Sequence, residues 1–259
     1  MIDIHTHILP GADDGARTIE DAIRMAQAAA AEGITDLIAT PHHANGNYTN
    51  PASKVRELTA FLNDRLRAEG IPVSVHTGQE IRVHDELLDA WDRGELLTLG
   101  DSRYMLIEMP HHRIPPGMTE LLHELAVMGI KPIVAHPERN GDILKDPNLL
   151  DELHEYGAYA QVTAQSLTGD YGSQVAKCAW RLCRAGKIQL ISSDAHDTGR
   201  RNFRMKEVYA AITREMGEAW TSYFRDNARR VLDNRDFGPA PESLKQTHRW
   251  SKIWRFGRY

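Results

Sequence analysis

Histidines and carboxylates recur along this chain in short groups: His5-Thr6-His7, Asp13-Asp14, His42-His43, Glu80, Glu108, His136-Pro137-Glu138-Arg139 and Asp194-Ala195-His196. Imidazole and carboxylate together are the ligand types of Mn²⁺, Zn²⁺ and Fe²⁺, and a mixed set of this kind disfavours Ca²⁺. Each group alone is a weak signal. A His-x-His pair arises readily by chance in a chain with 13 histidines, and a lone Asp or Glu beside a turn is more often a cap. What carries the argument is where the groups fall.

Every group follows a short apolar run. Runs rich in Ile and Val at 2–5, 34–40, 72–77, 104–109, 131–135, 158–162 and 188–192 read as strands buried on both faces. Helical periodicity fills 18–32, 53–68, 84–92, 116–128, 148–155, 172–185, 202–216 and 218–229. The first of these helices opens on Thr18 and Asp21 in a capping-box pattern and is followed by Gly33. Strand and helix in alternation imply parallel strands with right-handed crossovers. In such proteins chemistry gathers at the C-terminal strand ends, and six of the seven ends here carry His, Asp or Glu. A sequential open sheet would hold its first and seventh strands about 29 Å apart, at about 4.8 Å per strand. Ligands from both can share one site only if the sheet closes. The expected fold is therefore a single-domain seven-stranded α/β barrel.

Composition narrows the function classes. The balance of 31 basic against 36 acidic residues, net −5, argues against a dedicated nucleic-acid partner. No run reaches the length and apolarity of a membrane span, and the opening MIDIHTHILPG lacks the basic-then-apolar pattern of a signal peptide. Two cysteines, Cys178 and Cys183, are too few for a disulfide framework and point to the cytoplasm. The main domain is expected over 1–238. A tail over 239–259 opens on Pro239 and Pro241 and holds Lys245, Arg249, Lys252, Arg255 and Arg258 against the single acid Glu242, with Trp250, Trp254 and Phe256 between them. Such a tail either meets an anionic membrane surface or a partner, or packs its tryptophans back on the domain.

The whole string of groups, together with Gly15, Thr40-Pro41, Gly78-Gln79 and Ser193, resembles the PHP (polymerase and histidinol phosphatase) superfamily. Within it the chain is most similar to the bacterial capsule and exopolysaccharide tyrosine phosphatases of the CpsB/CapC type, over residues 1 to about 232. The resemblance implies a distorted (β/α)7 barrel and three divalent ions, usually manganese, with Zn²⁺, Fe²⁺ and Mg²⁺ as alternatives. It assigns His5, His7, Glu80 and Asp194 to one ion. Glu80 would bridge to a second, completed by Glu108 and His136, and Asp14, His42 and His196 would hold the third. Asp13 is left to orient a ligand or shape its loop. The implied reaction is hydrolysis of phosphotyrosine on the tyrosine-rich tail of the bacterial kinase that controls polysaccharide synthesis. Ions about 3.5–4 Å apart bring water toward ionisation at neutral pH and absorb charge on phosphoryl oxygens.

Arg139 and Arg201 would supply planar donors to those oxygens, with surface ion pairs as the plain reading of both and Arg200 as the alternative to Arg201. The family tends to follow the second arginine with proline. Here Asn202 stands in that place, so a different loop shape is expected. His43 and Asp197 lie within sequence reach of the ligands but are expected to support them or face solvent. Histidinol phosphate or another small phosphomonoester is the alternative substrate, and a scaffold that docks through its tail is the alternative function. Substrate choice is expected to lie in the loops 45–51 and 111–117, where His111 and His112 also read as ordinary solvent-exposed residues. Cys178 and Arg184 match the Cys-x5-Arg spacing of thiol phosphatases, yet the five residues between them lack glycine and sit in a helical pattern. Such a segment cannot form the tight backbone cradle that this chemistry requires.

Overall fold

The computed structural model describes residues 1–242. Its strands are β1 (Ile2–Thr6), β2 (Asp36–Ala39), β3 (His42–His43), β4 (Ser74–His76), β5 (Glu80–Arg82), β6 (Tyr104–Glu108), β7 (Lys131–Ala135), β8 (Tyr159–Thr163) and β9 (Leu190–Ser192). Its helices are α1 (Ile19–Ala31), α2 (Ala52–Ala68), α3 (Leu87–Asp92), α4 (Met118–Val127), α5 (Gly141–Lys145), α6 (Leu149–Glu155), α7 (Ala164–Thr168), α8 (Ser173–Arg184), α9 (Met205–Met216) and α10 (Glu218–Leu232).

All strand pairings are parallel, in the orders β1-β2-β4 and β3-β5-β6-β7-β8-β9. A parallel bridge between Thr6 and Ala195, with His7 N–H donating to Ala195 O at 2.9 Å, joins the first strand to the segment after the last. The sheet therefore closes as a distorted (β/α)7 barrel.

The expected runs 34–40 and 72–77 hold β2 and β4, and two short strands that were not expected, β3 and β5, follow just beyond them. Pro41, which has no N–H for the ladder, separates β2 from β3. Gly78 separates β4 from β5; a Cβ there would lie 2.8 Å from the Ile38 side chain, so this close approach demands glycine. Each break moves the following segment into the second sheet, and with it His42 and Glu80.

The core divides by strand periodicity. Ile2 and Ile4, Ile38, Tyr104 and Leu106, Ile133 and Ala135, and Leu190 form one cluster, sealed by Leu99 and by Ala228 and Val231 of α10. Their neighbours Leu37, Met105, Ile107, Val134, Val162 and Ile191 join the larger cluster beneath the surrounding helices. The first set fills the barrel interior, which leaves its opposite, C-terminal mouth for the polar groups.

Helix α1 has the expected capping box: Thr18 accepts from Asp21 N–H, and the Asp21 carboxylate accepts from Thr18 N–H. Helix α9 begins at Met205, three residues later than expected, because 197–204 form a loop at the barrel mouth. No helix among the described residues is long and apolar enough to cross a membrane. Of the 239–259 tail, only 239–242 are described, without regular structure; its basic and aromatic residues lie outside the described residues.

Candidate metal centre

The barrel mouth brings together all nine residues expected to bind metal, drawn from segments nearly 190 residues apart. Eight are buried or mostly so, and only Asp14 is substantially exposed, at 45% of its side chain. A bulge in β1 adds one residue between Asp3 and Thr6 and re-aims the chain at His5. His136 and Asp194 both adopt left-handed backbone, with φ of 34° and 55°. Such conformations are costly for non-glycine residues and persist where surrounding structure imposes them. Gly15 packs so close to His7 that a Cβ would meet its carbonyl at 2.0 Å. The Asp13-Asp14-Gly15 loop is thereby laid directly over the first strand end.

Glu80 stands at the centre. Its Oε1 lies 2.8 Å from His136 Nε2 and 3.5 Å from His5 Nε2; its Oε2 lies 2.7 Å from His42 Nδ1 and 3.5 Å from His7 Nε2. Asp194 Oδ1 is 3.5 Å from His5 Nε2 and 3.2 Å from His7 Nε2. Asp14 Oδ1 is 3.4 Å from His42 Nε2 and 3.3 Å from His196 Nε2. Glu108 Oε1 is 3.9 Å from His136 Nε2, while both Arg82 Nε and a terminal nitrogen hold its Oε2 at 2.9 Å. Three overlapping groups have ligand atoms close enough to share an ion: His5, His7 and Glu80; His7, Asp14, His42 and His196; and His42, Glu80 and Glu108. These groups share Glu80, His7 and His42 between them, and they differ from the sets implied by the resemblance, since Asp194 and His136 belong to none of the three.

The donor set fits cations rather than a self-satisfied polar core. His7 Nδ1 donates to Asp13 Oδ2 at 2.7 Å, His5 Nδ1 to Gln161 Oε1 at 3.1 Å and His196 Nδ1 to the Asp194 carbonyl at 2.9 Å. Each of these bonds leaves an Nε2 lone pair turned inward. The Nε2 atoms of His5 and His7 face one another at 3.2 Å. His42 Nδ1, Glu80 Oε2 and His196 Nε2 are buried without a hydrogen-bond partner among the described residues, although the first two approach to 2.7 Å. Acceptors packed against acceptors need a positive charge between them.

Without metal, protons do part of that work. Burial most strongly opposes the charged form of His7, but Asp13 and Asp194 together hold the imidazole up at about 9. Burial likewise opposes His42, and Glu80 and Asp14 more than offset it, to about 11. Burial would raise Glu80, yet His5 and His42 keep it well below the usual carboxylate range. Burial and then Arg139 depress His136 to about 4, so it stays neutral at pH 7. Burial and then Glu80 push Glu108 up to about 7, against Arg82.

Because a divalent ion competes with the protons on His7 and His42, affinity for an ion such as Mn²⁺ is expected to rise with pH up to about 9 as His7 deprotonates, and further toward about 11 as His42 does. Binding to chelator-treated protein at pH 7 should release protons. Titration calorimetry in two buffers of different ionisation heat reads this directly, and equal heats would contradict it.

Both arginines reach the cluster. Arg139 donates to Asp194 Oδ2 at 2.8 Å; Arg201 approaches the same oxygen at 3.4 Å and Asp14 Oδ2 at 3.3 Å. Arg200, the alternative, is exposed. The loop with Asn202 in place of proline is shaped by Asp197, whose Oδ1 accepts from Gly199 N–H at 2.6 Å and Arg201 N–H at 3.1 Å. His43 is buried and engaged with Asn50 O at 3.0 Å, away from the cavity.

A cavity of about 260 Å³ opens over the cluster, lined by Asp14, His42, Asn45, Asn47, Glu80, Arg82, Glu108, His111, His136, Arg139, Asp194 and Arg201. Asn45, Asn47 and His111 come from the two loops expected to choose the substrate; His112 is exposed and not among the lining residues. Arg82 and Gln161 were not anticipated. A polar residue in an otherwise apolar strand was the available signal for Gln161. Cys178 and Cys183 lie buried in or beside α8, and burial pushes the Cys178 thiol up to about 11, the opposite of an activated nucleophile.

The family described as "Capsular polysaccharide synthesis, CpsB/CapC" matches residues 1–233. The chain belongs to the CpsB/CapC family. It is 42% identical over 247 residues to the tyrosine-protein phosphatase YwqE of Bacillus subtilis, covering 95% of this chain and 97% of that protein. It is 26% identical to the tyrosine-protein phosphatase CpsB of Streptococcus pneumoniae, over 90% of this chain and 98% of that one. A crystal structure from the study of YwqE and CpsB, described as metal-dependent tyrosine phosphatases, superposes with a TM-score of 0.90 at 42% identity, over 95% of this chain and 100% of the other. An organophosphorus hydrolase from Deinococcus radiodurans, at TM-score 0.54 and 14% identity over 92% of each chain, shares the barrel fold alone. For this CpsB/CapC member the same barrel thus carries a dense imidazole–carboxylate mouth.

Proposed function

We propose that this chain removes phosphate from the tyrosine-rich tail of a bacterial tyrosine kinase in capsule or exopolysaccharide synthesis. It is a metal-dependent tyrosine phosphatase of the CpsB/CapC type, by family and by the fold it shares with YwqE and CpsB. The observation that carries the substrate class is two guanidinium groups converging on Asp194 beside the ligand cluster, within one open cavity. That pairing of cations suits a dianionic phosphate ester.

Our assignment gives His5, His7, Glu80 and Asp194 to one ion, Glu80, Glu108 and His136 to a second, and Asp14, His42 and His196 to a third, with Mn²⁺ the favoured ion. Bound divalent ions supply Lewis-acid stabilisation of phosphoryl charge and ionise water near neutral pH.

The chain's own residues do the rest. Asp13 and Gln161 fix the tautomers of His7 and His5. Arg139 and Arg201 present N–H groups to phosphoryl oxygens and orient the ester for in-line attack. A phenol leaves with a pKa near 10, so protonation of the leaving oxygen matters less than for an alkyl phosphate.

We place the reaction in the cytoplasm, where the free thiols Cys178 and Cys183 stay reduced. The 1–238 barrel would then act as the catalytic unit, and the basic 239–259 tail would hold it near a membrane-associated partner.

The test is phosphate release from a tyrosine-phosphorylated kinase-tail peptide beside histidinol phosphate, with EDTA and then with added Mn²⁺. Turnover abolished by EDTA, restored by Mn²⁺ and at least about tenfold faster on the peptide is the expected result. Turnover of histidinol phosphate alone would move the function to small-molecule metabolism.

A further inference from the structure

Arg139 is the more enclosed of the two arginines, and apart from Asp194 the groups that enclose it lie outside the ligand set. One terminal nitrogen donates to Asp194 Oδ2 at 2.8 Å and the other to Thr163 Oγ1 at 2.7 Å. The guanidinium carbon lies 4.1 Å from the centroid of the Tyr171 ring. Thr163 is itself held in place. Its N–H donates to Glu138 Oε1 at 3.1 Å, and its hydroxyl lies 3.2 Å from the same oxygen and 2.8 Å from Ser166 Oγ. Thr163, Glu138 and Ser166 are all buried.

We propose that Thr163 and Tyr171 are positioning residues that set the plane and reach of the Arg139 guanidinium, and so the grip of the site on phosphate. The inference rests on the phosphatase reading of the same cavity.

A guanidinium tied only to Asp194 can swivel about that one bond. The Thr163 contact pins the opposite corner of the fork, and the Tyr171 face fixes the remaining rotation by stacking. The free N–H groups are then aimed before substrate arrives, which removes an ordering cost from binding. Neither Thr163 nor Tyr171 lines the cavity, so any effect on phosphate must pass through Arg139. Glu138 sits in the strand-end motif beside Arg139, and its contact with Thr163 explains why an acid stands there without facing the ligand cluster.

The experiment compares Thr163→Val, Thr163→Ser, Tyr171→Leu and Tyr171→Phe in the full chain with Mn²⁺. It measures KM and kcat on a phosphotyrosyl peptide, inhibition by inorganic phosphate, and thermal unfolding. Thr163→Val and Tyr171→Leu should each raise KM and the phosphate inhibition constant about tenfold, with a smaller change in kcat. Thr163→Ser keeps the acceptor oxygen and should stay within about twofold. Tyr171→Phe should do the same, since the Tyr171 hydroxyl has no hydrogen-bond partner among the described residues.

In an Arg139→Ala background, Thr163→Val should add nothing further, a coupling that packing damage would not produce. If Thr163→Val does not fold, Tyr171→Leu carries the same cycle. Unchanged KM and phosphate inhibition, or full additivity with Arg139→Ala, in an active enzyme would overturn the positioning role and leave the phosphatase reading standing. A wild-type protein inactive on every phosphomonoester would overturn both.

Discussion

Replacing Asp194 by alanine is expected to lower turnover on the order of 10³-fold or more while the barrel survives. One oxygen of this carboxylate faces His5 and His7, at 3.5 and 3.2 Å, and the other binds Arg139 at 2.8 Å. Burial alone would favour its neutral acid, but Arg139 and then His5 hold it well below the usual carboxylate range. The alanine therefore removes a charge shared by the imidazole cluster and the two arginines proposed to bind phosphate. The backbone link from Asp194 N–H to His5 O, 2.9 Å, stays available to hold the strand end.

Because Asp194 has a φ of 55°, alanine also meets backbone strain there. Asp194→Asn is the matched control, since asparagine tolerates that conformation and removes only the charge. Both variants should bind less Mn²⁺ and retain a cooperative thermal transition. More than a tenth of wild-type activity in Asp194→Ala under saturating Mn²⁺ would remove this residue from the metal centre.

The second large effect is expected at Arg139. Arg139→Lys keeps the charge and loses the fork, so a single nitrogen replaces the two that bond Asp194 and Thr163 at 2.8 and 2.7 Å. It also gives up the planar stack on Tyr171. A fall in kcat/KM of about 10- to 100-fold is expected, the scale of one lost charge-assisted hydrogen bond. Metal content should not change, which separates this variant from Asp194→Ala. An unchanged kcat/KM would take Arg139 out of phosphate binding.

The chemistry of the site was legible because ligand type and strand end coincide in the linear chain. A residue just past a buried parallel strand must emerge at one barrel mouth, whatever the helices between do. Closure followed from the same fact, since residues at both ends of the chain had to meet. The two short added strands, β3 and β5, were less legible. Pro41 and Gly78 are visible signals for a break, but which sheet the next segment joins is settled by packing across the barrel.

What the sequence by itself determined is that groups of His, Asp and Glu stand at successive strand ends, and that a closed barrel is needed to gather them; the choice of nine candidate donors among these groups came from the family resemblance. Only the tertiary structure decided how those donors face. Glu80 became the central residue because four imidazoles from three other segments converge on its two oxygens. The inward lone pair of His5 is set by Gln161, 156 residues away, and the aim of Arg139 by Thr163 and Tyr171. Such contacts depend on through-space distance and on which nitrogen carries a proton, and neither leaves a period or a spacing in the chain.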